Sequence, residues 1–106
     1  MFARSITIRL KPDSAAAFTK LIEDQTSPLL RKQKGFQDAI TMIVPGGREA
    51  AAFSLWDLKE NAEAYSRSGY TEVLKALEKL TEGSPQVRTY EVSNSTFHKI
   101  AAHVAA

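Results

Sequence analysis

The stretch AAFSLWDLKENAEAY, from Ala51 to Tyr65, changes period partway along. Up to Trp56 the residues alternate as in a strand; from Asp57 onward, charged residues and alanines read as a helix. Upstream, FQDAITMIV (Phe36 to Val44) is rich in strand formers, PGG (Pro45 to Gly47) is a turn, and AAAFSLW (Ala50 to Trp56) returns beside the first run as a hairpin. A hairpin whose second strand feeds a helix needs further strands and helices on either side to bury it.

Both sides supply them. In FARSITIRL (Phe2 to Leu10), Phe2, Ile6, Ile8 and Leu10 share one face with Arg4 as the exception, and Ala3, Ser5, Thr7 and Arg9 share the other. KPD then turns the chain, and Asp13 or Ser14 can cap the helix that follows. From Ser14 to about Gln33 that helix places Phe18, Leu21, Ile22, Gln25 and Leu29 on one stripe. Pro28 lacks an N–H and is expected to kink or split the helix at Ser27; Gly35 looks like the stop.

Beyond Tyr65, two short helical pieces break near Ser68–Gly69, and the second presents Tyr70, Val73, Leu74, Leu77 and Leu80 on one face. GSP is expected to end it, with QVRTYEV (Gln86 to Val92) as the last strand. The order βαββαβ predicts an α+β, ferredoxin-like fold: a four-stranded antiparallel sheet with both helices on one face. Residues 1–93 form that domain. Residues 94–106 are a tail too poor in large side chains for a core of its own, and it either stays on its subunit or packs on a partner subunit.

At 106 residues, 43% hydrophobic and 25% charged, the chain has the composition of one globular domain. A net charge of +2 with interspersed signs gives no field for nucleic acid or an anionic membrane. Arg31, Lys32 and Lys34 suit a helix C-terminus. Having no cysteine, the chain has no disulfide, no thiolate nucleophile and no Cys-based zinc site. There is no membrane-length apolar run and no signal-peptide core, so the cytoplasm is the expected location. On the second strand Ala51, Phe53 and Leu55 oppose Ala52 and Trp56, so both sheet faces carry apolar residues. A sheet covered on one side only then calls for a partner, and a homodimer packed sheet against sheet is expected.

SPLLRKQKGFQDAI, AAFSLWDLKENAEAYSRSGYTEVLKAL and RTYEV together resemble the antibiotic-biosynthesis-monooxygenase-like (ABM) family of dimeric α/β barrels, over Phe2 to about Val92. The strongest points are Leu29-Leu30-Arg31, Gly35-Phe36, Trp56 before a charged helix start, Tyr65, and Thr89-Tyr90-Glu91-Val92. The resemblance implies a pocket between sheet and helices in each subunit, and relatives that include cofactor-independent oxygenases of anthrones and quinols as well as haem-degrading enzymes.

The haem branch needs a helix histidine, an Asn and a Trp, at positions held here by Lys75, Ser5 and Tyr65. A protonated lysine has no lone pair for iron, so no haem is expected; the nicotinamide and flavin fingerprint Gly-x-Gly-x-x-Gly is missing as well, and no cofactor is expected. His98 and His103 lie in the tail, five apart and with no acidic residue after Glu91, so no metal site is expected either. The oxygenase branch implies a Trp, an Asn and an Arg around an aromatic substrate; Trp56 matches, Lys75 holds the Arg position and Ala52 the Asn position.

For that chemistry the candidate catalytic residues are Lys75, Trp56 and Tyr65. The candidate substrate-binding residues are Phe18, Phe53, Tyr70 and Tyr90. Tyrosines and Lys75 would stabilise a substrate anion and the other aromatic rings would wall it. Trp56, Tyr65 and Tyr70 are equally open to plain packing, and Lys75 to a solvated helix face. Gln25 and Arg4, polar on apolar faces, are either pocket groups or packed at a contact. The function expected is a cofactor-independent monooxygenase of a small aromatic or quinol compound. The rival is a non-catalytic ligand-binding or accessory protein of the same fold, which Ala52 favours.

Overall fold

The computed structural model describes residues 1–97. β1 (Phe2–Leu10) lies between two neighbours, β3 (Glu49–Trp56) and β4 (Thr81–Glu91), with β2 (Phe36–Ile43) outside β3. Every pairing in the order β2-β3-β1-β4 is antiparallel, giving the expected ferredoxin-like α+β arrangement. The register pairs Phe2 with Trp56, Arg4 with Ser54, Ile6 with Ala52 and Ile8 with Ala50. Because side chains alternate across a strand, these residues share one face. That face receives Phe18, Leu30, Ala62, Tyr65, Tyr70, Val73 and Leu77 from the helices to make the core.

The helix after β1 is divided. α1 (Ala15–Leu21) passes into a π-helical turn at Ile22–Thr26, and α2 (Ser27–Arg31) follows with Pro28 in its first turn. The expected interruption at Pro28 thus takes the form of a wider turn that absorbs the missing N–H. The extra residue rotates everything beyond it. Where an uninterrupted stripe would turn Gln25 and Leu29 inward, Thr26 and Leu30 are the buried residues; Gln25 is exposed and Leu29 half-buried.

α3 (Lys59–Arg67) and α4 (Gly69–Leu77) meet at the expected break, and their inward residues are Ala62, Tyr65, Tyr70, Val73 and Leu77. The entry to α3 is tied to the start of β2. Asp57 N–H donates to the Gly35 carbonyl at 2.9 Å, and the Asp57 carboxylate accepts from Leu58 N–H at 2.6 Å and Asn61 Nδ2 at 2.8 Å. Gly83-Ser84-Pro85 does not end the second helix. α4 stops at Leu77, β4 begins at Thr81, and the tripeptide sits in a register shift between the pairings Thr7–Gln86 and Arg9–Glu82. A proline is tolerated there because β4 is an edge strand at an irregularity.

Among the described residues the other sheet face bears no helix. Ile40, Met42, Phe53, Leu55 and Tyr90 fall on it by register, around the small residues Ala3 and Ser5 of β1. Among the described residues no helix is long and apolar enough to cross a membrane. His98, His103 and most of the tail lie outside the described residues.

Candidate functional site

Small residues in the middle of the sheet leave room under the helices. Ala39, Thr41, Ala52 and Ser54 form a low floor on β2 and β3, while large side chains fill the two ends of the core, Trp56 at one and Leu10 with Phe18 at the other. The π turn, wider than an α turn, passes over this floor and contributes Ile22, Glu23 and Thr26. The result is a cavity of about 270 Å³, closed at the α3–α4 side by Tyr65, Tyr70 and Val73, and reached by Arg4 from β1.

Four aromatic rings run from the sheet edge into this cavity. Phe36 meets Trp56 edge to face at 5.6 Å, Tyr65 stacks on Trp56 at 5.1 Å, and Tyr70 lies 6.1 Å from Tyr65. The Arg4 guanidinium sits 3.9 Å above the Tyr70 ring and 5.4 Å from that of Tyr65, close enough for cation–π attraction. Tyr65 is 4% exposed, and its hydroxyl has no hydrogen-bond partner among the described residues. Burial pushes its pKa up to about 12, against the lowering influence of Arg4 and with a further rise from Tyr70. Tyr65 is therefore a proton donor to whatever enters, not a base.

Of the seven residues singled out in the sequence, the structure brings Tyr65 and Tyr70 together on the cavity wall. Trp56 is fully buried one layer behind Tyr65, and its indole N–H donates to Ser54 Oγ at 2.9 Å. Phe53 borders the cavity from β3, but strand alternation turns its side chain to the open sheet face. Phe18 is buried in the core beside the cavity and does not line it. Tyr90, paired with Ala3, lies on the open face and is 44% exposed. Lys75 is exposed on α4 and does not reach the cavity. Ala52 does line it, and Ser5 faces away.

Arg4 was visible in the sequence as the polar exception on an apolar face. Thr26 and Ser54 were not singled out; Thr26 enters only because of the one-residue slip ahead of Pro28.

No protein-family model matches the chain, and no curated protein is significantly similar to it. Solved structures match it in fold. A monooxygenase of Streptomyces coelicolor in complex with nanaomycin D superposes with a TM-score of 0.71 at 20% identity, over 89% of this chain and 88% of that one. SnoaB, a cofactor-independent oxygenase of Streptomyces nogalater, gives 0.71 at 13% identity over 90% and 95%. MhuD, with two manganese protoporphyrin IX molecules bound per active site, gives 0.73 at 12% identity over 91% and 98%. At these identities the likeness is one of fold, an ABM-like ferredoxin fold shared with a putative antibiotic biosynthesis monooxygenase of Nitrosomonas europaea (TM-score 0.71, 12% identity, over 87% of this chain and 98% of that one).

Proposed function

We propose that this chain binds a small aromatic or quinol compound in the cavity beneath the π turn and oxygenates it without a cofactor. The observation that carries this reading is a buried cation in an otherwise largely apolar, tyrosine-walled cavity: Arg4, 4% exposed, beside Tyr65 and Tyr70. A quinol that has lost a proton is electron-rich enough to reduce oxygen directly. The site then has to hold the ring and stabilise the anion. Conversion of a quinol to a hydroxyquinone takes four electrons from the substrate; one oxygen atom of O₂ stays in the product and the other leaves as water. No further reductant is required. Tyr65 and Arg4 are the catalytic groups of this reading, and Tyr70 a binding group.

A second reading, a binding protein without turnover, is favoured by the exposed position of Lys75 and by Ala52 on the cavity floor, where a hydrogen-bonding group would serve catalysis better. Oxygen uptake and Trp56 fluorescence, followed together during titration with phenols, hydroquinones and anthrone-like compounds, separate the two. Saturable fluorescence change with one O₂ consumed per substrate is the expected result. Saturation without uptake establishes the binding protein, and no response to any compound removes both.

The working unit of this proposal is a homodimer packed sheet against sheet, supported by the apolar open face around Ile40, Phe53, Leu55 and Tyr90.

A further inference from the structure

Arg4 occupies a helix-facing position on β1 where Ile6, Ile8 and Leu10 continue the row. The only hydrogen bond of its side chain among the described residues runs from Nη2 to Ser66 Oγ at 3.4 Å. A guanidinium carries five N–H donors and no acceptor, so most of its donors are without a protein partner. Nor, among the described residues, does a carboxylate neutralise it. Arg9 and Arg48 pair with Glu82, Lys20 with Asp24 and Lys59 with Glu63.

Glu23 lines the same cavity, exposed at its rim, and is not within ion-pair distance of Arg4. The sheet separates Arg4 from anything docking on its open face. Stacking on Tyr70 covers one face of the guanidinium, but the N–H groups run along its edge and remain available. A buried charge without a counter-charge is destabilising, and this one borders a cavity in which an anion would balance it.

We infer that the cavity selects a one- or two-ring aromatic compound that enters already ionised, its anionic oxygen held by Arg4. This rests on the cavity being the binding site proposed above. Its size, about 270 Å³, lies just below the usual range for ligand pockets, which run from roughly 300 to 1,000 Å³. The inference also accounts for the lack of a buried base. Tyr65 keeps its proton until about pH 12, Lys75 lies elsewhere, and Glu23 at the rim is the one carboxylate lining the cavity. A ligand ionised in solution has no proton to give up inside.

Calorimetric titration of the unaltered protein with benzoate and benzamide, matched in shape and different in charge, tests this directly. 4-Nitrophenol, titrated across its own ionisation, forms the phenolate arm. Benzoate is expected to bind at least about tenfold more tightly than benzamide, the scale of a hydrogen bond to a charged group, or nitrophenol affinity to rise as the phenol ionises. Whichever arm responds identifies the anion as a carboxylate or a phenolate.

The preference should vanish in Arg4→Gln and survive in part in Arg4→Lys, which keeps the charge without the planar fork. Equal binding of charged and neutral partners in both arms, read on the unaltered protein and so independent of any variant's folding, overturns the inference. Anion-selective binding with no oxygen uptake from any phenol keeps the inference and removes the oxygenase. Turnover of quinols with no preference for anions does the reverse.

Discussion

Tyr65 stands between two environments, stacked on the fully buried indole of Trp56 on one side and bordering the cavity on the other. Its sequence position, nine residues after Trp56, says only that a helix can bring the ring back over the strand; the depth of each ring depends on side chains contributed by three other elements. That is why pocket wall and core packing stayed open for both residues in the sequence, and why the structure assigns them differently. Arg4 was legible as a break in an apolar row, but its lack of a counter-charge belongs to the tertiary arrangement. For Lys75 the family position and the helix face pointed in different directions, and the face decides where the side chain lies.

The Tyr65 phenol gives this residue scale a measurable consequence. Burial raises its pKa from 10.0 to about 12. Below pH 10 the folded and unfolded chains are both protonated and the group contributes no pH dependence. Between the two values the unfolded chain releases a proton that the folded chain retains. Stability therefore falls as pH rises, by up to about 1.4 kcal/mol per pH unit. Urea unfolding at pH 9 and pH 11 should show the unaltered protein losing about 1 kcal/mol more than Tyr65→Phe over that interval. An equal loss in both would mean that Tyr65 ionises as readily in the folded state as in the unfolded one.

At the scale of elements, period and punctuation carried the fold. The alternation of β1, the PGG hairpin and the break at Ser68–Gly69 each appear where the sequence placed them. The departures have specific causes. A π turn inserts one residue without any change of composition, so the inward stripe slips from Gln25 and Leu29 to Thr26 and Leu30. Gly-Ser-Pro reads as a helix stop because such residues do stop helices, but the helix has already ended and an edge strand accommodates them.

Gly35 does not cap α2, which already ends at Arg31; it sits instead in the turn into β2, where it couples two elements. Its φ of +79° is left-handed, and a Cβ there would fall onto the Asp57 carboxylate and the Asn61 amide, 2.8 Å from Asn61 Cβ. Gly35→Ala should cost about 1–3 kcal/mol from backbone strain, more with the collision. Asp57→Ala removes the hydrogen bonds at the head of α3 and should cost about 0.5–2 kcal/mol. Because the first substitution displaces the group that the second removes, the double variant should lose less than the sum. A strictly additive cycle in denaturant midpoints would show that the two positions are not coupled through that carboxylate.

At the scale of the whole molecule, one apolar surface is left over once the core is built. The helices cover one side of the sheet and enclose the cavity, and the other side presents Ile40 at 58% and Met42 at 47% exposure beside Phe53, Leu55 and Tyr90. Apolar residues gathered on one face of a sheet are better satisfied by a second apolar face than by water, and a second copy supplies one by two-fold symmetry. By register that face also carries Arg9 on β1, Asp38 on β2, Glu49 on β3 and Glu82 and Arg88 on β4, charges of both signs around its apolar residues. Ile40→Glu and Tyr90→Glu each place a carboxylate where the two copies would meet, and each position is exposed enough in the single subunit to leave its fold intact. Sedimentation velocity at micromolar concentration should give a dimer for the unaltered chain and a shift towards monomer for either variant, with far-ultraviolet circular dichroism unchanged. The cavity lies on the opposite side of the sheet, so anion binding by Arg4 should persist in the monomeric variants. A monomeric unaltered chain would leave the open face unexplained by self-association, and loss of anion binding on monomerisation would mean that the partner helps to hold the sheet floor in place.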